Sequence, residues 1–220
     1  MSTPESTCWT VIRAAAAGSP ADRDELARRY LGVVRAHLSA RWRGSHLRHD
    51  LDDAVQEVFV ECFRQGGALE AVGSGRVPSF RAFLYGVVRN VARRFESQPQ
   101  RPAGPLPEIA ANEASLSWLF ERSWAQAIMT EAAQLQQQRA SERGPEAVQR
   151  VELLRLRFEE NLPIRTIAER WGVPAAGLHH AYALARQEFK AILLEVVAFH
   201  HPGSPAEVEQ EAASLLKALS

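Results

Sequence analysis

Arg81, Tyr85, Arg89 and Arg93 recur every fourth residue along one stretch of this chain. On a helix that step draws them into one ridge. Guanidinium groups seek phosphate, and a tyrosine ring offers a face on which a base can stack, so the ridge has the chemistry of a single-strand nucleic-acid contact. Asn90 lies beside it. Upstream, Asp53, Glu57 and Glu61 form a second outward ridge, with Gln56 next to it. Carboxylates in a row can receive the arginines of a protein partner, which sets specificity and association rate more than raw affinity. Each ridge also has a plainer reading as a solvated charged face. Together they describe a unit that holds a protein on one surface and nucleic acid on another.

Other chemistries find little support. No convergent set of His, Lys or metal ligands accompanies the acidic ridge, so catalysis is not expected. Among the histidines, His179-His180 and His200-His201 are adjacent pairs, with His46 and His49 apart from them. Adjacent helical residues diverge by roughly 100° and cannot chelate one ion as His-x-x-x-His does. No phosphate loop, nucleophile elbow or His-Glu-x-x-His motif occurs, and no cofactor or metal is expected. Cys8 and Cys62 are too few for a disulfide scaffold or a metal site, and Cys62 falls on an apolar helical face as plain core. No apolar run reaches membrane-spanning length and no secretion signal opens the chain, which predicts a soluble cytoplasmic protein without a membrane partner.

The elements that must carry these residues are helices. Strand patterns are nearly absent and apolar residues recur at helical spacing. Ser19-Pro20 with Asp22 starts a helix whose stripe is Leu26, Tyr30, Val33, Val34, Leu38 and Trp42. A second helix covers about 50–65, with Leu51, Ala54, Val55, Val58, Phe59 and Cys62 inward. Glycines at 66, 67, 73 and 75 and Pro78 make residues 66–78 a loop. A third helix spans about 79–97, with Phe80, Leu84, Val87, Val91 and Phe95 on the face opposite the basic ridge.

Prolines 99, 102, 105 and 107 then predict a semi-rigid linker. The expected organisation is all-α: a first helical domain at 8–98, a linker at 99–114, a second domain at 115–199 and a tail at 202–220. In the second domain Val148, Val151, Leu154 and Phe158 are expected inward. A short helix at 164–171, the turn Gly172-Val173-Pro174 and a longer helix from about 175 make a helix-turn-helix at about 164–190. On its second helix His179 and His180 face outward, opposite Leu178, Tyr182, Ala185 and Phe189, where they could meet phosphate or base edges. Ser204 and Glu207 form a capping box that starts a tail helix with Val208, Ala212, Leu215, Leu216 and Leu219 on one side. Basic and acidic residues are equal at 26 each, so any nucleic-acid contact must come from local stripes.

Taken in order, these motifs resemble an extracytoplasmic-function RNA polymerase sigma factor over most of residues 20–198. Asp53-x-x-Gln56-Glu57-x-Phe59 resembles the family's signature for docking on the clamp helices of the polymerase β′ subunit. Phe80-Arg81-x-Phe83-Leu84-Tyr85, ending in Arg89-Asn90, resembles its helix facing the −10 promoter element. Residues 66–78 stand where the family captures a flipped base, a step costing about a few kcal/mol that pocket contacts must return. The second half resembles the family's −35 reader.

The resemblance implies two helical sigma domains and a transcription initiation factor with no chemistry of its own. It implies polymerase contacts from Asp53, Gln56, Glu57 and Glu61. It implies promoter contacts from Arg81, Tyr85, Arg89, Asn90 and Arg93, and duplex contacts from His179, His180, Arg186, Gln187 and Lys190. An anti-sigma regulator is a further partner it admits. The chain also departs from the family. Phe83 stands where tryptophan is usual and Arg94 where aspartate is usual. The reading helix has Gly177-Leu178-His179-His180-Ala181 in place of Thr-Val-Lys-Ser-Arg, and Leu184 in place of an arginine, which leaves Arg186 as its matching basic residue. Phosphate neutralisation drives much of such a helix's affinity, so −35 binding is expected to be weak or differently specified. Two alternatives stay open: a stand-alone helix-turn-helix regulator, and a sigma-like interaction protein with weakened DNA binding. The tail at 202–220 is expected to pack on the second domain or to recruit a regulator.

Overall fold

The computed structural model describes residues 8–64, 79–97 and 113–219, all of whose regular structure is helical. The expected glycine-rich loop at 66–78 lies outside them, as does the expected linker as far as residue 112; Glu113 and Ala114 are already helical. The helices are α1 (Cys8–Ala16), α2 (Pro20–Arg41), α3 (Leu51–Phe63), α4 (Phe80–Glu96), α5 (Glu113–Arg143), α6 (Pro145–Phe158), α7 (Ile164–Trp171), α8 (Ala175–His200) and α9 (Pro205–Leu219). A 3₁₀ turn at His46–Asp50 leads into α3. Among the described residues, no helix is long and apolar enough to cross a membrane.

The chain divides into two compact units, residues 1–127 with 198–220, and residues 128–197. In the first, α2 begins where Ser19 accepts from the Asp22 amide and Pro20 supplies a pre-set φ at the first turn. Its stripe Leu26, Tyr30, Val33, Val34, Leu38 and Trp42 is buried as the spacing predicts. The inward residues of α3 and α4 meet it, with Ala54, Val58, Cys62, Leu84, Val88 and Val91 fully enclosed. Each large apolar side chain so enclosed contributes about 1.5–3 kcal/mol. Burial pushes the Cys62 thiol up to about 12, so it sits there as a neutral packing group. Phe95 is only half-buried, with its ring centroid 5.8 Å from that of Trp42.

An ion pair closes the base of this bundle. Arg41 Nε lies 2.6 Å and Nη2 3.0 Å from the two carboxylate oxygens of Glu96, and Trp42 Nε1 donates to the same carboxylate at 3.0 Å. Only 6% of the Arg41 side chain and 15% of that of Glu96 remain exposed, so the pair is a structural lock and not a surface bridge.

The first unit also takes in segments expected elsewhere. Leu116, Phe120 and Trp124 of α5 are buried in it, and Trp124 stacks on Tyr30 with centroids 5.1 Å apart and planes 9° from parallel. His200 sits 2.8 Å from the Tyr30 hydroxyl through Nδ1, and its carbonyl accepts from the Cys8 thiol at 3.3 Å. The tail helix starts with the expected capping box: the Ser204 amide donates to Glu207 at 2.7 Å and the Glu207 amide to Ser204 at 3.4 Å. It belongs to the first unit, with Val208, Ala212 and Leu215 buried. Leu216, expected inward, is exposed, because the buried stripe steps 208, 212, 215 and leaves the next residue about 100° away.

In the second unit Leu153, Leu156, Ile164, Ile167, Ala168 and Leu178 form a core across α6, α7 and α8. Gly172 caps α7 in the left-handed region, at φ 65°, which a glycine adopts without strain. Val148 and Phe158, expected inward, are 36% and 69% exposed. Leu154 is buried as expected and Val151 is half-buried, while the rest of the buried stripe is Ala147, Leu153 and Leu156. Phe158 ends the helix just before the chain turns at Asn161, itself at φ 53°, and its ring lies past the core. Arg157 turns back there to donate to the Leu162 carbonyl, with its guanidinium 5.8 Å from the Tyr182 ring centroid.

Candidate functional site

The basic ridge is carried by α4, whose start is fixed by Ser79 accepting from the Ala82 amide at 3.2 Å. Its apolar side is broader than one stripe, because Phe83, Val88 and Ala92 are buried along with the expected Phe80, Leu84, Val87 and Val91. Less room is therefore left for a polar face, and the ridge is graded along its length. Arg93 and Asn90 are exposed, while Arg89, Tyr85 and Arg81 are half-buried.

The partners at the ridge's first half come from distant parts of the chain. Arg81 Nη1 is 2.8 Å from Glu211 of α9 and 3.2 Å from Glu121 of α5. The Tyr85 ring centroid lies 5.1 Å from that of Phe120 and 5.6 Å from that of His37, the latter edge-on. Burial raises the Glu121 carboxyl above its usual range; Arg81 opposes the shift and Glu211 adds to it. None of these contacts was foreseen, since periodicity shows that a helix has a buried face without naming what meets it.

The acidic ridge is carried by α3. Asp53 and Gln56 are exposed. Glu57 and Glu61 are half-buried and share one cation: Arg94 Nη2 of α4 lies 3.0 Å from Glu57 and 3.4 Å from Glu61, and Arg64 is 3.5 Å from Glu61. The charge of Arg94 answers two carboxylates of the same unit. The ridge thus splits into an open end, at Asp53 and Gln56, and an internally neutralised end.

Beside the open end runs a groove of about 760 Å³ between α2 and α3, lined by Leu31, Arg35, Gln56, Val60 and Phe63 among others. Leu31 is 42% and Val60 47% exposed, although both are large and apolar. Arg35 at its rim is 2.6 Å from Asp52. Leu31 and Val60 were not among the expected contacts. Both lie off the buried stripes, which was the available signal, because an apolar side chain outside a helix's inner face needs another reason to be there.

On α8 of the second unit, His179, His180, Arg186, Gln187 and Lys190 are all exposed, opposite the buried Leu178 and Ala185. The Arg186 guanidinium lies 5.8 Å from the Tyr182 ring centroid. The outward residues of the first two turns are histidine, glycine and alanine, so few full charges are offered there. Among the described residues, no group of three or more His, Cys, Asp or Glu side chains is placed to hold a metal ion. No known protein-family model matches the chain, and no curated protein matches it.

Proposed function

We propose that this chain is a transcription initiation factor of the extracytoplasmic-function sigma type, acting in the cytoplasm, which joins core RNA polymerase and directs it to a promoter. The observation that carries this reading is the open end of the acidic ridge. Asp53 and Gln56 stand exposed beside the apolar groove at Leu31 and Val60, so one face offers both a carboxylate and unpartnered hydrophobic surface to a partner. In this reading the partner is the helical pair of the polymerase β′ clamp, and α4 faces the opened promoter strand through Arg81, Tyr85, Arg89, Asn90 and Arg93. The exposed residues of α8 contact duplex DNA. The polymerase makes the RNA, and this chain contributes binding alone.

Copurification with core polymerase tests the docking face. Asp53→Arg combined with Val60→Asp is expected to lower polymerase affinity by on the order of tenfold or more, through charge repulsion and loss of apolar contact. Arg89→Ala is expected to impair promoter binding or opening while leaving polymerase association intact. Equal loss of both functions in Arg89→Ala would refute the division of surfaces.

Arg94 gives a separate expectation. Arg94→Ala removes the cation that Glu57 and Glu61 share, with Arg64 still near Glu61, and should raise polymerase affinity about two- to fivefold. Its pairs are partly exposed, with 47% of the Arg94 side chain accessible, so stability should change by less than about 1 kcal/mol. Unchanged or weaker binding would place the contact away from Glu57 and Glu61.

The reading as a sigma-like interaction protein with weakened DNA binding is favoured by one observation, the carboxylates already on Arg81. Open-complex formation on a promoter library separates the two.

A further inference from the structure

The phosphate-seeking end of α4 already has ligands. Arg81 binds carboxylates from two segments remote in sequence, Glu211 at 2.8 Å and Glu121 at 3.2 Å. A carboxylate oxygen and a phosphate oxygen are interchangeable in such a charge-assisted bond. At the next position of the ridge, the Tyr85 ring packs against Phe120 and His37, both buried. The helix bringing Glu211 also carries Glu207 and Glu209, and buries Val208, Ala212 and Leu215.

We propose that α9 is an intramolecular strap whose Glu211, beside Glu121 of α5, occupies Arg81 and must be released before α4 can take a nucleic-acid strand. The inference rests on the DNA-facing role of α4 proposed above and adds a closed state to it. The strap is built to let go. Its ionic contacts are incompletely buried, with 25% of the Arg81 side chain and 42% of that of Glu121 exposed. Because strap and strand compete for one guanidinium, each weakens the other's hold. If the closed form holds about nine-tenths of the molecules, the apparent dissociation constant for DNA is raised about tenfold.

The test uses the full chain and a fluorescein-labelled, mixed-sequence single-stranded DNA oligonucleotide, read by fluorescence anisotropy at low salt, with amide hydrogen exchange of α9 measured alongside. Glu121→Gln with Glu211→Gln keeps side-chain shape and removes both charges. The strap predicts that this double variant binds the oligonucleotide about tenfold more tightly than the unmodified chain and exchanges α9 amides faster. It also predicts that adding Arg81→Ala cancels the gain in binding. Equal DNA affinity in the unmodified chain and the double variant, with Arg81→Ala weakening both alike, would overturn the strap and leave the DNA role of α4 standing. Faster exchange in α9 with no DNA binding in either form would overturn the proposal from the other side, through the role given to α4. Unchanged exchange in both the double variant and Arg81→Ala would show that these contacts do not hold the tail, and would also overturn it.

Discussion

Glu96→Ala is expected to destabilise the first unit by about 3 kcal/mol, the cost of leaving a buried guanidinium without its counter-charge. Arg41 and Trp42 both donate to this carboxylate, and the Arg41 side chain is 6% exposed, so water cannot fully replace what is lost. Glu96→Gln retains an acceptor and should cost less. Chemical denaturation monitored by tryptophan fluorescence measures both, since Trp42 belongs to the same cluster. Burial works against the ionised Glu96, but the hydrogen bonds from Arg41 and Trp42, with the charges of Arg41 and Arg93, hold its pKa below the usual carboxylate value. A group whose folded pKa is depressed contributes stability that is complete above its unfolded pKa of 4.5 and is lost as pH falls through the folded value. Acid should therefore erode the unmodified protein below about pH 4.5, with Glu96→Gln showing a shallower decline. An unchanged acid limb in Glu96→Gln would mean that other carboxylates govern it.

Trp124→Ala is the second large effect expected, at about 3–5 kcal/mol. The indole is 4% exposed and stacks on Tyr30, with Phe80, Phe120 and His200 completing the cluster around it. The change removes the largest side chain that the start of α5 inserts among α2 and α4. The melting transition of the unit containing Tyr30 should fall by roughly 10 °C or more. The comparison is Trp118→Ala, on the same helix but 54% exposed, which should cost under about 1 kcal/mol. Similar losses from both substitutions would contradict the placement of Trp124 in the first unit's core.

Much of the architecture was legible because it is local. The stripe from Leu26 to Trp42 repeats at helical spacing, Ser19-Pro20 and Ser204-x-x-Glu207 mark helix starts by their own hydrogen bonds, and Gly172 turns the chain after Trp171. What could not be read is the identity of partners far apart in sequence. Arg41 and Glu96 each look like ordinary surface charges until packing brings them together across 55 positions. The outward direction of Arg81 was inferred from the apolar side of its own helix, which says nothing of a tail 130 residues away. Nothing in the sequence sets Phe120 apart from Trp118 and Trp124, although it is the residue of that stretch that meets Tyr85. At the candidate site, residue types and helix faces were therefore accessible, whereas occupancy was not. Arg94 departs from the pattern that the sequence resembles, and only the two carboxylates beside it give that departure a physical reason.

The Cys8–His200 hydrogen bond spans 192 positions, and residues 198–220 complete the same unit as α1 through α4. On the ribosome, the early helices must consequently linger without their last walls while everything from 128 to 197 is still being made. Contacts of such sequence separation are slow to form, and the nascent bundle meanwhile shows the apolar surface that Val208, Ala212 and Leu215 will later cover. Chaperone dependence during synthesis, and aggregation of fragments that stop short of residue 198, are what this wiring entails.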